Sequence, residues 1–371
     1  MKTILILHHG GNQIRGTEVC LIQTIEALAE NGFRVIILRK DTCLDNLITK
    51  YVDSILDEPF PEIMFDGSHK TFPVKQYFSS SFRLFQLIRK NKPCMILCSG
   101  GLPCQLSLPI AKLLNIPLLC HFHHPAAKRY FYIWMVKFAT KLIFPSNYTK
   151  SVVIEKCGRD GEVVYNAVDV NNRFVPVNSR ENKYRQNLGI DDSTVVVGQI
   201  GNLAAHKRPD VLIRCFAEAQ RRIKNLSLVL VGNGPLYKEL ENLIKDLGLE
   251  QSVMLMGYVP DVKPYYQHVI DINVLASREE GLGISVIEAS ACALPSIVTN
   301  CTGLREVVDN NITGLLFDRD NMTQLTDCIV LLANNPELRR KLALAAREKA
   351  EKFFSVERYK NQMLKQIKNF C

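Results

Sequence analysis

Apolar residues in this chain come in short runs. Runs rich in Ile, Val and Leu cover 3–8, 34–39, 95–99, 117–122 and 141–146, then 195–201, 226–232, 253–257, 271–277, 295–299 and 314–318. Several lack polar alternation, which is the pattern of strands buried on both faces of a parallel sheet. Between the runs the apolar period lengthens to that of a helix. Thr17 is placed to cap one such helix, Val19, Ile22, Ile25 and Ala29 follow at helical spacing, and Asn31 and Gly32 close it. A second helix is expected over 235–247, ahead of Gly248. Strands alternating with helices predict α/β layers on parallel sheets.

The period breaks over 175–188, where Pro-Val-Asn-Ser-Arg-Glu-Asn-Lys intervenes. A chain of 371 residues divides comfortably into two domains of ordinary size. We expect a first domain over 1–175, a second over 190–352, and a C-terminal helix over 353–371 that returns to the first. Two doubly wound sheets in tandem place their ligand sites at the carboxyl ends of their strands, facing a shared cleft.

Composition narrows the class. A hydrophobic fraction of 47% and a charged fraction of 22% are those of a soluble globular protein. No apolar run reaches the roughly 18 residues needed to span a bilayer. The N-terminus passes from one lysine into a strand, without the longer apolar core and cleavage site of a signal peptide. The twelve cysteines form no CxxC pair, so the expectation is reduced thiols in a cytoplasm and no zinc site. The formal charge of +9 is uneven. From Arg83 to Lys156, eleven Lys and Arg stand against Glu155 alone, and the stretch Arg129-Tyr-Phe-Tyr-Ile-Trp-Met-Val-Lys-Phe138 adds aromatic rings. That segment is either an amphipathic helix packed on its own domain or a surface that sits on anionic lipid. The second reading makes the protein peripheral on the cytoplasmic face of a membrane. No nucleic-acid-binding motif accompanies the charge, so nucleic acid is not expected as a partner.

The most informative stretch is Arg278-Glu-Glu-Gly-Leu-Gly-Ile-Ser-Val-Ile-Glu288-Ala-Ser. A strand ends, glycines make a tight turn, and a helix begins near Ile284. Backbone N–H groups at such a start carry partial positive charge, which suits a diphosphate. Glu280 stands before the glycines and Glu288 lies in the helix, with seven residues between them. One acid can reach beyond the phosphates while the other lies alongside. Neither a metal nor a cofactor is expected. The loop from Gly10 to Gly16 reads Gly-Gly-Asn-Gln-Ile-Arg-Gly, not G-x-G-x-x-G, and Asp41 lies farther along than a dinucleotide site asks. Both features count against a nicotinamide oxidoreductase.

The acidic stretch resembles the E-x7-E motif of the glycosyltransferase group 1 family (family 4 of the retaining glycosyltransferases, with the GT-B fold). Ile200-Gly-Asn-Leu-Ala-Ala-His-Lys-Arg208 is similar to that family's G-R-L-x-x-x-K-G loop. Leu228-Val-Leu-Val-Gly-Asn-Gly-Pro235 resembles its V-G-x-G-P strand end, Tyr165-Asn-Ala-Val-Asp169 its N-G-V-D, and Asn311-Ile-Thr-Gly-Leu315 its N-x-x-G-L/F. Gly10-Gly11 through Gly16-Thr-Glu18 is similar to its first-domain glycine loop, and His121-Phe-His-His124 to its histidine after a strand. These matches span residues 8 to 317 in family order.

The resemblance implies two Rossmann-like domains facing each other across a cleft. It also implies a retaining transferase that moves a hexose or N-acetylhexosamine from a UDP- or GDP-linked sugar to a glycan or lipid-linked acceptor. Glu288 would accept hydrogen bonds from the donor ribose. Glu280 would bind donor-sugar hydroxyls, with the backbone amides of Gly281, Leu282 and Gly283 nearby. Lys207 would neutralise the diphosphate leaving group. The nucleobase would lie near Gly257 and Tyr258, Gly16 would approach the donor, and His123 best matches the histidine facing the reacting centre, with His121 and His124 adjacent. The chain departs from the family at Asn202, where Arg is usual, and at Arg208, where Gly is usual. Losing a charged phosphate contact removes roughly 1.5–3 kcal/mol. Arg208, His206 or the Asn202 amide is then left to fill in. A nucleotide-sugar epimerase of the same architecture resembles the acidic motif and lysine loop less well. An inactive binding protein is opposed by intact Glu280, Glu288 and Lys207.

Overall fold

The apolar runs form strands whose side chains are almost wholly buried. Ile4 to Leu7, for example, are no more than 1% exposed. Such strands need helices on both faces, and the connections supply them. The computed structural model describes residues 1–11, 13–66, 69–123 and 126–371. Its contacts divide the chain into two compact units, one of Met1–Asn166 with Glu357–Cys371 and one of Ala167–Val356.

The first unit contains β1 (Thr3–His8), β2 (Arg34–Arg39), β3 (Ser54–Asp57), β4 (Met64–Asp66), β5 (His69–Thr71), β6 (Met95–Ser99), β7 (Leu118–His121), β8 (Lys141–Phe144) and β9 (Glu162–Val163). All but β4 and β5 join one parallel sheet, in the order β3-β2-β1-β6-β7-β8-β9, and β4 pairs with β5 as a small antiparallel hairpin. The core lies under the helices, where Leu5, Ile36, Ile96, Phe122, Phe131 and Leu142 pack together.

The second unit contains β10 (Val195–Ile200), β11 (Leu226–Val231), β12 (Val253–Leu255), β13 (Ile272–Leu275), β14 (Ser296–Thr299) and β15 (Gly314–Phe317). These form a parallel sheet in the order β12-β11-β10-β13-β14-β15. Val197, Phe216, Leu228, Val274 and Phe317 are among its core residues. In both sheets the chain works outward from its first strand in one direction and then reverses. The reversal falls beside β1 in one sheet and beside β10 in the other. In a doubly wound sheet that switch point is where a crevice opens at the carboxyl ends of the strands.

Several expectations need correction. Thr17 does not cap the first helix, which spans Gly16–Glu30 with Arg15 as its cap residue. Glu18 reaches back instead, accepting the Arg15 backbone N–H at 2.9 Å and satisfying a donor that the helix itself cannot. The helix expected over 235–247 starts later, at Tyr237, and ends at Asp246. The twelve thiols are not all free, because Cys94 and Cys371 form a disulfide. The basic aromatic stretch is a short helix, Lys128–Ile133, followed by a single turn, Val136–Phe138. Its Tyr130, Phe131 and Val136 are buried and Trp134 and Met135 pack against the core, while Tyr132 and Phe138 are exposed.

The last helix, Val356–Lys368, belongs to the first unit. It buries Tyr359, Met363, Leu364 and Ile367. The Tyr359 hydroxyl lies 2.8 Å from Thr24 Oγ1 and 3.1 Å from the Cys20 carbonyl, and Lys360 pairs with Glu26 and Glu30.

Candidate active site

In the second unit three adjacent strands, β10, β13 and β14, deliver their following loops to one place. The loop after β10 carries Asn202, His206, Lys207 and Arg208. The loop after β13 carries Ser277, Glu280 and the glycine turn, and the loop after β14 carries Thr302 and Gly303. They are stitched together by backbone. The Arg278 N–H donates to the His206 carbonyl at 2.7 Å, and the Gly303 N–H to the Glu280 carbonyl at 3.1 Å. Gly303 is required for that approach. A Cβ there would stand 2.3 Å from the Gly281 carbonyl oxygen, a backbone atom that cannot rotate aside.

Within this frame Lys207 Nζ donates to Glu280 Oε1 at 2.6 Å, with both side chains more than four-fifths buried. The Ser277 hydroxyl donates to the same oxygen at 2.8 Å, and the Glu280 N–H donates to Thr302 Oγ1 at 3.0 Å. Burial works to raise the Glu280 carboxyl. The Lys207 ammonium, its hydrogen bond and the Ser277 hydroxyl outweigh it and hold the group below its ordinary value. Glu280 is therefore an anion fixed in position, which spares Lys207 from being a buried, unpaired cation.

The helix after the turn spans Ile284–Ala291 and is capped by Gly283, whose φ of 95° is a left-handed conformation that favours glycine. Val286 and Ile287 donate back to the Gly283 carbonyl, so the helix begins directly beyond the turn. Glu288 lies on this helix among buried Val286, Ile287 and Ala289. The Tyr266 hydroxyl lies 3.1 Å from Glu288 Oε2 and 3.1 Å from the Ser285 carbonyl. Burial pushes the Glu288 carboxyl up to about 7, and the Tyr266 hydrogen bond offsets only part of that. The two acids of one motif are thus shifted in opposite directions.

On the other side of β10, the loops after β11 and β12 come close. Gly232 donates to the Gly257 carbonyl at 2.8 Å. A Cβ on Gly234 would meet the Leu203 carbonyl oxygen at 2.4 Å and Asn202 Oδ1 at 2.6 Å, so the Asn202 loop rests directly on that glycine. Tyr258 is 64% exposed beside Gly257. Arg208, buried and left-handed at φ 52°, directs its guanidinium to the Arg319 carbonyl and to Asp320 at 3.2 Å, on the loop after β15.

The remaining candidates lie in the first unit. Gly16 is the first residue of its helix. His123 is buried just beyond β7, its ring centroid 4.0 Å from that of His121, and burial pushes His121 down to about 3. His124 falls outside the described residues. Beside Gly16, His8 Nε2 lies 3.5 Å from Glu18 Oε1, and a Cβ on Gly10 would stand 2.3 Å from that nitrogen. Sequence reasoning named the glycine loop but missed this buried pair. It also missed Ser277, Thr302 and Tyr266. Ser277 and Thr302 had a usable signal, since each follows the end of a strand, and neighbouring strand ends meet in a parallel sheet.

Two tandem sheets of this order, with a lysine loop and a two-acid turn at the second switch point, define the GT-B class of protein. The family model described as glycosyl transferases group 1 matches residues 180–349, and that of glycosyltransferase family 4 matches residues 14–172. The chain belongs to the glycosyltransferase group 1 family. Among its relatives, the N-acetyl-alpha-D-glucosaminyl L-malate synthase of Bacillus anthracis is 29% identical over 208 residues, 56% of this chain and 53% of that protein. The chain thus spans about half the length of the first curated relatives it matches. The UDP-Gal:alpha-D-GlcNAc-diphosphoundecaprenol alpha-1,3-galactosyltransferase of Escherichia coli is 25% identical over 347 residues, 88% of this chain and 86% of that protein. Among solved structures, Anabaena Alr3699/HepE in complex with UDP-glucose superposes with a TM-score of 0.84 at 22% identity, over 100% of both chains.

Proposed function

We propose that this protein is a retaining, metal-independent glycosyltransferase that takes a hexosyl or N-acetylhexosaminyl group from a uridine or guanosine diphosphate sugar. The acceptor is a glycan or a lipid-linked saccharide, in cell-surface polysaccharide or glycolipid synthesis. The observation that carries the reading is the Lys207–Glu280 pair, held by Ser277 at the switch point of the second sheet. Breaking a glycosidic bond to a diphosphate needs fixed positive charge where the leaving group forms, and an anchored sugar beside it. Lys207 supplies the charge together with the helix start at Ile284, Glu280 holds the sugar hydroxyls, and Glu288 takes the ribose. UDP-glucose in the structural neighbour and the diphosphoundecaprenol acceptor in the E. coli relative's name support the donor and acceptor classes. The basic span 83–156 is proposed to bring the enzyme to an anionic cytoplasmic membrane face. No helix among the described residues is long and apolar enough to cross a membrane.

The test is a panel of nucleotide sugars, scored for release of free nucleotide with and without lipid-linked acceptors. Slow hydrolysis without acceptor and faster release with one are expected. Free epimer, or binding without turnover for every donor, would overturn the proposal.

A further inference from the structure

The first unit carries an aromatic face that its own core does not use. The helix Val74–Asn91 buries Ser80, Leu84 and Ile88 against the sheet. It is pinned there by the Ser80 hydroxyl on Glu58 at 2.6 Å and by the Tyr77 hydroxyl on the Gln105 carbonyl at 2.8 Å. Its opposite side is not polar, as a surface helix should be. Phe78 is 68% exposed and Phe82, one turn on, 61%, while Phe72 just ahead of the helix is 59% exposed. Large exposed rings grouped in this way mark an interaction surface.

The charge around them selects the partner. The helix and the residue after it hold Lys75, Arg83, Arg89, Lys90 and Lys92 and no acid. Between Asp66 and Glu155 there is no Asp or Glu at all, against twelve Lys and Arg. A protein partner would need a strongly acidic surface with apolar sockets, whereas an anionic bilayer offers both features everywhere: phosphate charge above and acyl chains below. Position supports the same choice. The helix, with Phe82 at its middle, leads back to the start of β6, so Phe72 just ahead of it and Phe78 in its second turn lie toward the carboxyl end of the parallel strands. That is the end at which His121 and His123 stand.

We propose that Phe72, Phe78 and Phe82, flanked by the basic side chains of this helix, insert into the headgroup layer of an anionic phospholipid membrane while the helix stays folded on its domain. This rests on the membrane reading given above and replaces its focus: the rings that enter lipid precede the stretch 129–138. A bilayer on this face sets a lipid-linked acceptor at the ligand end of the first sheet.

The experiment is co-sedimentation of the full chain with phosphatidylcholine vesicles, with and without phosphatidylglycerol. Binding to the anionic vesicles is expected to weaken steeply with added salt. Phe78→Ser with Phe82→Ser should weaken it by about tenfold or more, as should Arg89→Glu with Lys90→Glu. Melting temperature and turnover on a soluble acceptor should stay near wild type. Phe82→Trp gives a second, gentler readout, with tryptophan emission moving to the blue on anionic vesicles. If wild type binds no vesicles, the membrane reading falls. If wild type binds but both double variants bind equally well, this surface is the wrong one. If the serine variant changes the oligomeric state and not vesicle binding, the face belongs to a second copy of the chain. Failure of nucleotide-sugar turnover with vesicle binding intact would refute the enzyme reading and leave this one standing.

Discussion

Replacing Glu288 by Gln should make the free protein more stable and a worse binder of nucleotide. Burial raises this carboxyl from 4.5 to about 7. At a little under 1.4 kcal/mol per pH unit, that shift amounts to about 3 kcal/mol of native-state cost when the group is ionised. The side chain keeps some contact with solvent, so the recoverable part is between about 1 and 3 kcal/mol. The sign follows from the direction of the shift. Below about pH 4.5 the carboxyl is neutral in the folded and unfolded chain alike, and the cost is absent. Above about pH 7 it is charged in both, and the cost is complete. Wild-type stability should therefore fall as pH rises through that window, relative to the variant. Gln has no such titration and can still accept the Tyr266 hydrogen bond. At pH 8 the variant should melt several degrees higher. Its affinity for free nucleoside diphosphate, however, should drop by about 10- to 150-fold, the loss of a charged hydrogen bond to the ribose. The wild type itself should lose affinity on acidification below about pH 7. Differential scanning calorimetry across pH 5–8 and titration calorimetry with the free nucleotide are the measurements. A variant that melts no higher at pH 8 and binds nucleotide as well as wild type would refute both the burial argument and the ribose assignment.

Other expectations separate the remaining parts of the site. Glu280→Gln should lower turnover more than nucleotide affinity if Glu280 holds the donor sugar as proposed; initial rates beside calorimetry with sugar-free nucleotide decide this. Lys207→Ala should reduce kcat by roughly 10²–10³ while leaving Glu280 without its counter-charge, and a loss confined to KM would argue against a leaving-group role. Activity should survive EDTA, and a large loss reversed by a divalent ion would mean that Lys207 is not the main phosphate charge. Gly303→Ala should destabilise the second unit by about 1–3 kcal/mol, since the new Cβ meets backbone and not a movable side chain; an unchanged melting curve would show that the turn can shift. The product should keep the donor's anomeric configuration, and an inverted signal by NMR would exclude a retaining reaction.

Much of this architecture was legible because buried parallel strands write themselves as unbroken apolar runs. The stretches over 3–8, 34–39 and 95–99 are strands with those same bounds, and the later ones are trimmed by a residue or two. The strands that escaped notice lie outside that rule. Ser54–Asp57 and Glu162–Val163 are the edges of the first sheet, short and partly exposed, and Met64–Asp66 pairs with His69–Thr71 outside it. An edge strand is not flanked on both sides, so its pattern carries polar residues and loses the signal. The disulfide escaped for a different reason. Cys94 and Cys371 are 277 residues apart, and only the return of the last helix to the first unit brings them together. At the site, the motif spacing named Glu280 and Glu288. What surrounds them came from other strand ends: Lys207 after β10, Thr302 after β14, and Tyr266 from the turn before β13.

That division explains how one motif yields two acids of different character. Both belong to one turn and helix, and what separates them is burial and the side chains that face each acid. Glu280 lies where three loops meet, and two of its neighbours donate hydrogen bonds to it, one of them a cation. Glu288, eight residues on, faces Tyr266 from an apolar helix, with one neutral donor. Environments that push paired carboxyls apart are how a site assigns distinct tasks to like groups. A permanently charged Glu280 suits a sugar that must be held as positive charge develops at its anomeric carbon. A Glu288 that burial makes costly to ionise suits the proposed ribose contact, in which hydroxyl donors would favour its charged form. The Asn202 departure fits the same logic. With Arg absent there and Arg208 committed to Arg319 and Asp320, Lys207 is the basic side chain that Glu280 holds at the switch point, and under the proposed reading the helix start at Ile284 carries more of the diphosphate charge.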